Sequence, residues 1–347
     1  MNPGVAFTEK YLRLMFKSLR DATPKEVMEE LEHCRRENRR TVRVPRYFRG
    51  YFTEEKYQAS TGFEMQVFKH LQPSRKLILY LHGGAFIYPP VFFHWRFLHD
   101  LALRTHCDTL MPVYPKSPEY DCAFSVQTLL DFYKTISESG RYEEIHLVGD
   151  SAGACLCLVV AQEAHQQGWQ KPATTILLSP CVDLSHTKES EMKALQDRDP
   201  MLQYDRIVIL NAIWQGELSA QHPWVSPIFG DFSGIDNLSV YFGSNEILKP
   251  DALFVKEKME KAGKTGLFRE FEGMFHTFPL FPIPEGFVAI KEMSASINRC
   301  QGSRRQVSRT VRHTSGWCTC LPPPVSSNAC SSCIPCRISG IGTAFGT

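Results

Sequence analysis

The chain has 347 residues, 43% of them hydrophobic, which is enough for one large domain with an extensive core. Its formal net charge is +2, but the region after residue 299 carries five arginines and no acid, so subtracting five from two leaves −3 for residues 1–299. No apolar run approaches the ~18 residues of a membrane-spanning helix, and the start of the chain lacks the pattern of a signal peptide. These features argue against a transmembrane or secreted protein, and we expect a cytoplasmic one.

The first predicted element is an amphipathic helix over residues 5–19, with basic residues on its polar face. A basic amphipathic helix can lie on a membrane, but it can also pack against the rest of its own protein, which we favour here. Its apolar face comprises Leu12, Met15, Phe16 and Leu19.

Seven arginines lie between residues 35 and 49, interleaved with aromatic residues. Such a pattern can bind nucleic acid. A solvated edge between a helix and a strand is the commoner meaning of a charge run, and we adopt it. We therefore expect no nucleic-acid partner.

Two adjacent glycines follow an apolar strand predicted over residues 77–81, within the segment His-Gly-Gly-Ala-Phe at residues 82–86. Adjacent glycines let backbone N–H groups approach a ligand without obstruction, as an oxyanion hole for acyl transfer requires. We assign the N–H groups of Gly83 and Gly84 to such a hole, and expect His82 to shape the loop by hydrogen bonding. A plain glycine turn after a buried strand is the alternative.

The segment Gly-Asp-Ser-Ala-Gly at residues 149–153 lies between an apolar run and a helix predicted over residues 152–167. Gly-x-Ser-x-Gly between strand and helix is typical of a nucleophile elbow, a strained turn that only small neighbours permit. It would expose the hydroxyl of Ser151 in front of the positive end of the helix. We expect the N–H of Ala152 to complete the oxyanion hole. Small residues and serine also cluster in ordinary turns, so the motif needs partners elsewhere in the chain.

A serine hydroxyl is a weak nucleophile until an imidazole accepts its proton, and an acid must orient that imidazole. His276 is the candidate base, in a loop after the strand-like residues 266–271. The acid is expected between Ser151 and His276, directly after a strand. Residues 238–242 form such a strand, and two carboxylates follow it, Glu246 and Asp251.

Together these segments resemble the signatures of the hormone-sensitive-lipase-like branch of α/β-hydrolases, which includes carboxylesterases and arylacetamide deacetylases. Shorter matches at residues 114–119, 179–184 and 226–227 agree with it, and the resemblance covers roughly residues 60–299. It implies an α/β fold with a mostly parallel central sheet, helices on both faces and a helical cap. It also implies a serine esterase, for which we expect no cofactor and no metal.

The sequence departs from the family pattern at two places in the predicted site. Ala85 stands where the family has a third loop glycine, a mild change if two N–H donors suffice. Glu246 stands where the family usually has aspartate, and this match makes it our choice for the acid. Asp251 is the alternative, but it follows Pro250 and is better placed to cap a helix over residues 252–261. The predicted triad is Ser151, His276 and Glu246.

The implied reaction is hydrolysis of a small-molecule carboxylic ester through an acyl-enzyme intermediate. Bulky residues between 87 and 95 should narrow the acyl side of the pocket and favour acyl chains of about two to eight carbons. An aryl amide or a formamide would use the same catalytic groups. A non-catalytic receptor on the same fold is less favoured, because such receptors lack the serine or the histidine. The sequence leaves a homo-oligomer open.

We divide the chain into a hydrolase domain, residues 1–299, and a tail, residues 300–347. Residues 1–50 and 185–225 are assigned to the cap. The tail is rich in Cys, Pro and Ser without apolar periodicity, and we expect it to be disordered, although its cysteines could hold zinc or be acylated. The six cysteines before it fit reduced cytosolic thiols.

Overall fold

The computed structural model describes the backbone of residues 3–17, 22–70 and 74–311, and the side chains of residues 7–17, 22–70 and 74–299. The chain divides into two compact units, Met1–Gly302 and Ser303–Thr347. The sheet, its helices and the site described below lie in the first unit, apart from the last turns of the final helix. The prediction made for the tail, residues 300–347, lies outside the described residues apart from the backbone of residues 300–311.

Eight strands in the described part of the chain form a single sheet. They are β1 (Phe52–Gln58), β2 (Glu64–His70), β3 (Lys76–Leu81), β4 (Asp108–Pro112), β5 (Glu144–Asp150), β6 (Thr174–Leu178), β7 (Leu238–Gly243) and β8 (Gly266–Phe271). Their order is β1-β2-β4-β3-β5-β6-β7-β8, and only the β1–β2 and β2–β4 pairs are antiparallel. The predicted mostly parallel sheet is confirmed.

Helices connect the parallel strands, since such strands need crossover connections. The described helices are α1 (Pro3–Met15), α2 (Pro24–Asn38), α3 (Phe92–Thr105), α4 (Cys122–Glu138), α5 (Ala152–Gln166), α6 (Glu189–Leu195), α7 (Tyr204–Gln215), α8 (Lys249–Lys261) and α9 (Pro284–Val311). Local sequence sets some of their starts. Thr23 and Glu26 form a capping box at α2, and Asp121 accepts the Phe124 N–H at 3.0 Å at the start of α4.

Alternation along the central strands gives the sheet two apolar faces. In β3, Leu77 and Leu79 pack on one face together with α4, α5 and α8, whereas Ile78 and Tyr80 pack on the other face with α3 and α9. Because both faces are covered, the central strands are mostly apolar and do not alternate regularly with polar residues. The predicted placement of helices on both faces is confirmed.

The two segments assigned to the cap contact one another. Val27 and Leu31 of α2 pack with Leu210 of α7 in a small apolar core that is separate from the two faces of the sheet. Nη2 of Arg13, in α1, donates to the backbone oxygens at positions 197 and 198, at 3.2 and 2.9 Å. The N-terminal helices are thereby joined to the segment between α6 and α7.

The N-terminal helix differs from its prediction. α1 ends at Met15 rather than at residue 19, and Met15 is 56% exposed although the apolar pattern placed it on the buried face. Leu12 is buried as predicted, and Leu19 lies outside the described residues. None of the helices that the structure describes has the length and apolar character needed to cross a membrane.

The arginine-rich segment forms the end of α2 and the connection to β1. Arg39 pairs with Glu119 at 2.5 Å, and Arg40 pairs with Glu37 at 2.7 Å. Arg43 is exposed. The segment is therefore a solvated edge with its own ion pairs, as predicted.

Candidate active site

Ser151 occupies the turn between β5 and α5. Its backbone has φ 53° and ψ −120°, a conformation that costs a residue with a side chain on the order of 1–3 kcal/mol. The neighbouring glycines make this turn possible. A Cβ at Gly149 would lie 2.5 Å from the backbone oxygen of Gly153, and a Cβ at Gly153 would overlap the backbone oxygen of Leu81. The structure therefore contains the predicted elbow, and close contacts leave no room for a side chain at either neighbouring glycine.

The structure brings Ser151, His276 and Glu246 into one hydrogen-bonded chain. His276 Nε2 lies 3.0 Å from Ser151 Oγ, and His276 Nδ1 lies 3.0 Å from Oε2 of Glu246. Glu246 is fully buried, and its Oε1 accepts the Gly243 N–H at 3.0 Å. A carboxylate with this partner orients Nδ1–H toward itself, which leaves Nε2 free to accept the proton of the serine.

The topology explains how residues so far apart in the chain meet. Ser151 and His276 are separated by 125 positions. Ser151 follows β5, Glu246 follows β7 and His276 follows β8, and these strands run parallel in one sheet. The carboxyl ends of parallel strands lie at the same edge, where α/β sheets bind their ligands.

The charges around His276 favour its protonated form. Burial by itself would lower the pKa of the imidazole. The hydrogen bond and charge of Glu246, with the charges of Asp199 and Asp150, outweigh burial and raise the pKa above its ordinary value. His276 is thus equipped to accept a proton, as a general base must.

Asp199 is a site residue that the sequence analysis missed. It is fully buried, and its Oδ2 accepts the Ile247 N–H at 3.0 Å while its Oδ1 accepts two further backbone N–H groups at 2.8 and 2.9 Å. It therefore fixes the backbone directly after Glu246. Burial raises its pKa, and the charge of His276 opposes that rise. No motif surrounds this residue, and only its position inside an assigned cap segment could have drawn attention to it.

Asp251, the alternative acid, holds a different part of the fold. It is fully buried, and its Oδ2 accepts the N–H groups of Val182 and Asp183 at 2.7 and 3.1 Å. The predicted capping role is wrong, because α8 begins at Lys249 with Leu248 as its cap residue and no side chain bonds the helix start. Burial raises the pKa of Asp251 to about 7.

The predicted set of oxyanion donors needs one correction. The Gly83 N–H donates to Oδ1 of Asp150 at 2.9 Å, so it is already bonded inside the protein. Glycine is required there for another reason, since a Cβ would overlap the Asp150 carboxylate. Within the residues that the structure describes, the N–H groups of Gly84, Ala85 and Ala152 have no acceptor. Ala85 thus replaces Gly83 as the second loop candidate.

Asp150, which occupies the x position before Ser151 in the Gly-x-Ser-x-Gly motif, joins the glycine loop to the elbow by hydrogen bonds. Besides the Gly83 N–H, its Oδ1 accepts the Tyr80 hydroxyl at 2.6 Å, and its Oδ2 lies 3.4 Å from Nε2 of His94. Burial would raise the pKa of this carboxyl, but His94, Tyr80 and the Gly83 N–H together lower it. The carboxylate stays charged and holds its donors. This role was not predicted, because its partners come from β3 and α3.

His82 supports the loop, as expected, and is not placed as a base. Its Nδ1 donates to the Gly83 backbone oxygen at 2.7 Å, and its ring stacks on Tyr114 with centroids 4.6 Å apart. Burial lowers its pKa to about 3, so the ring is neutral.

The bulky residues between 87 and 95 do not all face the site. Trp95 packs against Phe52 and Phe68 in the core, with ring centroids 5.2 and 4.7 Å apart. Phe92 is 47% exposed. The expectation is therefore wrong for Trp95, whose ring is buried in the core and faces no pocket.

Among the described residues, no three His, Cys, Asp or Glu side chains form a group that could hold a metal ion. The six cysteines of this region are buried and form no disulfide with one another. Burial raises the pKa of the thiols of Cys155 and Cys181 well above the ordinary value, which makes them poor nucleophiles.

Comparison with known proteins gives the same fold. Residues 78–280 match a family model described as the α/β-hydrolase fold. An esterase of Acinetobacter venetianus is 30% identical over 237 residues, covering 67% of this chain and 78% of that protein. An acetyl-hydrolase of Streptomyces hygroscopicus is 28% identical over 243 residues, covering 67% and 79%. The crystal structure of an esterase/lipase from an uncultured bacterium has a TM-score of 0.71 at 23% identity, covering 86% of this chain and 99% of that one.

Proposed function

Because this chain belongs to the α/β-hydrolase-fold family, we propose that it is a serine hydrolase that cleaves carboxylic esters through an acyl-enzyme intermediate. The observation that carries the proposal is the chain of contacts from Ser151 through His276 to Glu246, with both links at 3.0 Å. The relatives named as an esterase and an acetyl-hydrolase support the same reaction class.

In the first half of the reaction, Ser151 Oγ attacks the ester carbonyl carbon while its proton passes to Nε2 of His276. The carbonyl oxygen becomes an oxyanion and accepts hydrogen bonds from the free N–H groups of the glycine loop and of Ala152. Glu246 stabilises the imidazolium. The imidazolium then protonates the leaving alkoxide oxygen as the C–O bond breaks, and the alcohol departs.

In the second half, a water molecule attacks the carbonyl carbon of the acyl-enzyme. His276 accepts the proton of the water, and the oxyanion forms again in the same hole. The bond to Ser151 Oγ breaks, the serine recovers its proton from His276, and the carboxylic acid is released.

The acyl preference we propose is for chains of about two to eight carbons, limited by a rigid aromatic wall. Phe93 contacts Phe281 with ring centroids 4.6 Å apart, and Phe281 contacts Phe275 at 5.3 Å, next to His276. Overpacking a rigid wall of this kind costs more than an added methylene gains.

Three measurements test the proposal. A fluorophosphonate should label the wild-type protein, and a panel of p-nitrophenyl esters should be hydrolysed with butyryl faster than palmitoyl. Matched p-nitroanilides decide between ester and amide chemistry. A protein that is neither labelled nor active on any ester would overturn the proposal, and faster cleavage of the anilides would replace it with an amidase.

A further inference from the structure

Three polar side chains outside the triad join segments that are far apart in the chain. The Tyr88 hydroxyl donates to Oε1 of Glu30 at 2.5 Å. Nη2 of Arg206 donates to Oε2 of Glu30 at 2.7 Å and to the Tyr88 oxygen at 2.6 Å. Glu30 belongs to α2, Arg206 to α7, and Tyr88 follows the glycine loop. We name these three residues the cap cluster.

An apolar core lies beside the cap cluster and includes the same three segments. Its buried members are Val27, Leu31 and Cys34 of α2, Ile87 of the loop and Leu210 of α7, and Ala85 and Tyr88 pack against them. Burial raises the pKa of the Tyr88 hydroxyl, and the hydrogen bond to Glu30 raises it further. The phenol therefore stays protonated and remains the donor to Glu30.

The same tyrosine closes the turn that carries the oxyanion candidates. The N–H groups of Ile87 and Tyr88 both donate to the backbone oxygen of Gly84, at 2.9 and 2.8 Å. Inside this turn Ala85 has φ 52° and Phe86 has φ 60°. Left-handed conformations at residues other than glycine persist only where the surroundings hold them.

A second contact from α2 reaches the same turn. Nδ2 of Asn38 donates to the backbone oxygens of Ile87 and Ser117, at 2.9 and 3.2 Å. Glu30 and Asn38 are both on α2, so this helix holds the residues after the strained turn through a side chain and through the backbone.

We propose that Tyr88, Glu30 and Arg206 are positioning residues that hold the glycine loop in its strained conformation. The N–H groups of Gly84 and Ala85 then point at the oxyanion only while α2 and α7 are both docked on the loop. This inference rests on the proposed esterase function. It assigns the cap a part in transition-state stabilisation.

The experiment compares Tyr88→Phe with the wild type on p-nitrophenyl butyrate. The variant loses one hydroxyl and keeps the ring. We expect kcat to fall about 10- to 100-fold with little change in KM, because a misplaced oxyanion donor weakens the transition state and not the bound ester. Glu30→Gln, which keeps one acceptor oxygen at position 30, should lose less. If Tyr88→Phe fails to fold, the kcat of Glu30→Gln tests the proposal instead.

The Ki of a trifluoromethyl ketone distinguishes a positioning role from a merely structural one. Ser151 Oγ adds to its carbonyl carbon, the proton passes to His276, and the resulting oxyanion occupies the hole. Its Ki should rise in the variants in proportion to their loss of kcat/KM. Lys25→Ala is the matched control, because it removes an exposed ion pair with Glu29 on α2 that does not touch the loop, and its kcat and Ki should be unchanged.

The outcomes separate the two proposals. A wild type with no turnover and no fluorophosphonate label would overturn the esterase function itself. An active wild type whose Tyr88→Phe and Glu30→Gln variants keep full kcat would overturn only the positioning role. A rise in KM with unchanged Ki would also overturn it, since the cap cluster would then act on ester binding alone.

Discussion

Replacing Glu246 by glutamine removes one charge and one acceptor from the candidate triad while nearly keeping the shape of the side chain. Oε2 accepts from His276 Nδ1 and Oε1 accepts the Gly243 N–H, each at 3.0 Å. Glutamine has one oxygen and one NH₂ group, so it can satisfy only one of these donors and must turn its own N–H toward the other. Neither orientation of the amide restores both bonds.

The two orientations have different costs. With the amide oxygen at Gly243, the NH₂ group faces Nδ1 and drives the imidazole to carry its proton on Nε2, which can no longer accept the proton of Ser151. A wrong tautomer of this kind lowers kcat by about 10⁴, or about 5 kcal/mol. With the amide oxygen at His276, the NH₂ group of the glutamine faces the Gly243 N–H in a fully buried place. This unsatisfied contact should lower the free energy of unfolding by about 1–3 kcal/mol. We expect kcat to fall roughly 10³- to 10⁴-fold in a protein that still folds.

The assay is hydrolysis of p-nitrophenyl butyrate by the wild type, Glu246→Gln and Asp251→Asn, each checked by thermal unfolding. The acid limb of kcat/KM against pH gives a second readout. Its midpoint in the wild type should lie above 6.5, the ordinary pKa of imidazole, because Glu246 outweighs the effect of burial on His276. The midpoint should fall in Glu246→Gln. Near-normal turnover in Glu246→Gln together with an inactive Asp251→Asn would refute the choice of acid.

Three further predictions concern other parts of the molecule. Burial raises the pKa of Asp251 to about 7, whereas the carboxyl of the unfolded chain releases its proton near pH 4. Between these values the folded protein keeps a proton that the unfolded chain has lost, so the free energy of unfolding of the wild type should fall as pH rises from about 4 toward 7. Asparagine does not titrate, so the Tm of Asp251→Asn relative to wild type should be more favourable at pH 8 than at pH 5, and a difference independent of pH would contradict this. Phe93→Ala should shift the preference toward longer acyl chains. Unchanged relative rates across the p-nitrophenyl ester panel would contradict the proposal that the aromatic wall limits acyl length. A chain that ends after Gln301 should keep its thermal transition and its ester turnover, because every side chain assigned to the site precedes residue 300; loss of either would show that the tail is needed.

The hydrogen-bonded arrangement of Ser151, His276 and Glu246 could be predicted because each of these residues lies in a recognisable local sequence context. Ser151 lies in a motif whose spacing follows from the sterics of the elbow, Glu246 lies in the loop after the apolar strand β7, and His276 lies in the loop after β8. The parallel sheet could be predicted for the same reason, since strands buried on both faces are apolar runs. These features depend on a few neighbouring residues.

The features that escaped prediction depend on partners distant in the chain. The role of Gly83 was misassigned because the direction of its N–H is set by Asp150, and a pair of glycines does not encode which one of them turns inward. Asp199 was missed because its acceptor role depends on the N–H of Ile247, 48 positions away. Trp95 was placed in the pocket by adjacency alone, whereas the turn of α3 directs it into the core.

Fluorophosphonate labelling followed by peptide mass mapping tests the central claim most directly, applied to the wild type and to Ser151→Ala. We expect a single adduct on the peptide that contains Ser151, and no adduct in Ser151→Ala although its thermal transition is retained. Ester turnover in Ser151→Ala should fall to the ~10³- to 10⁴-fold acceleration over water that binding and the oxyanion hole supply. Undiminished labelling of Ser151→Ala, or an adduct on another residue of the wild type, would contradict the assignment of Ser151 as the nucleophile.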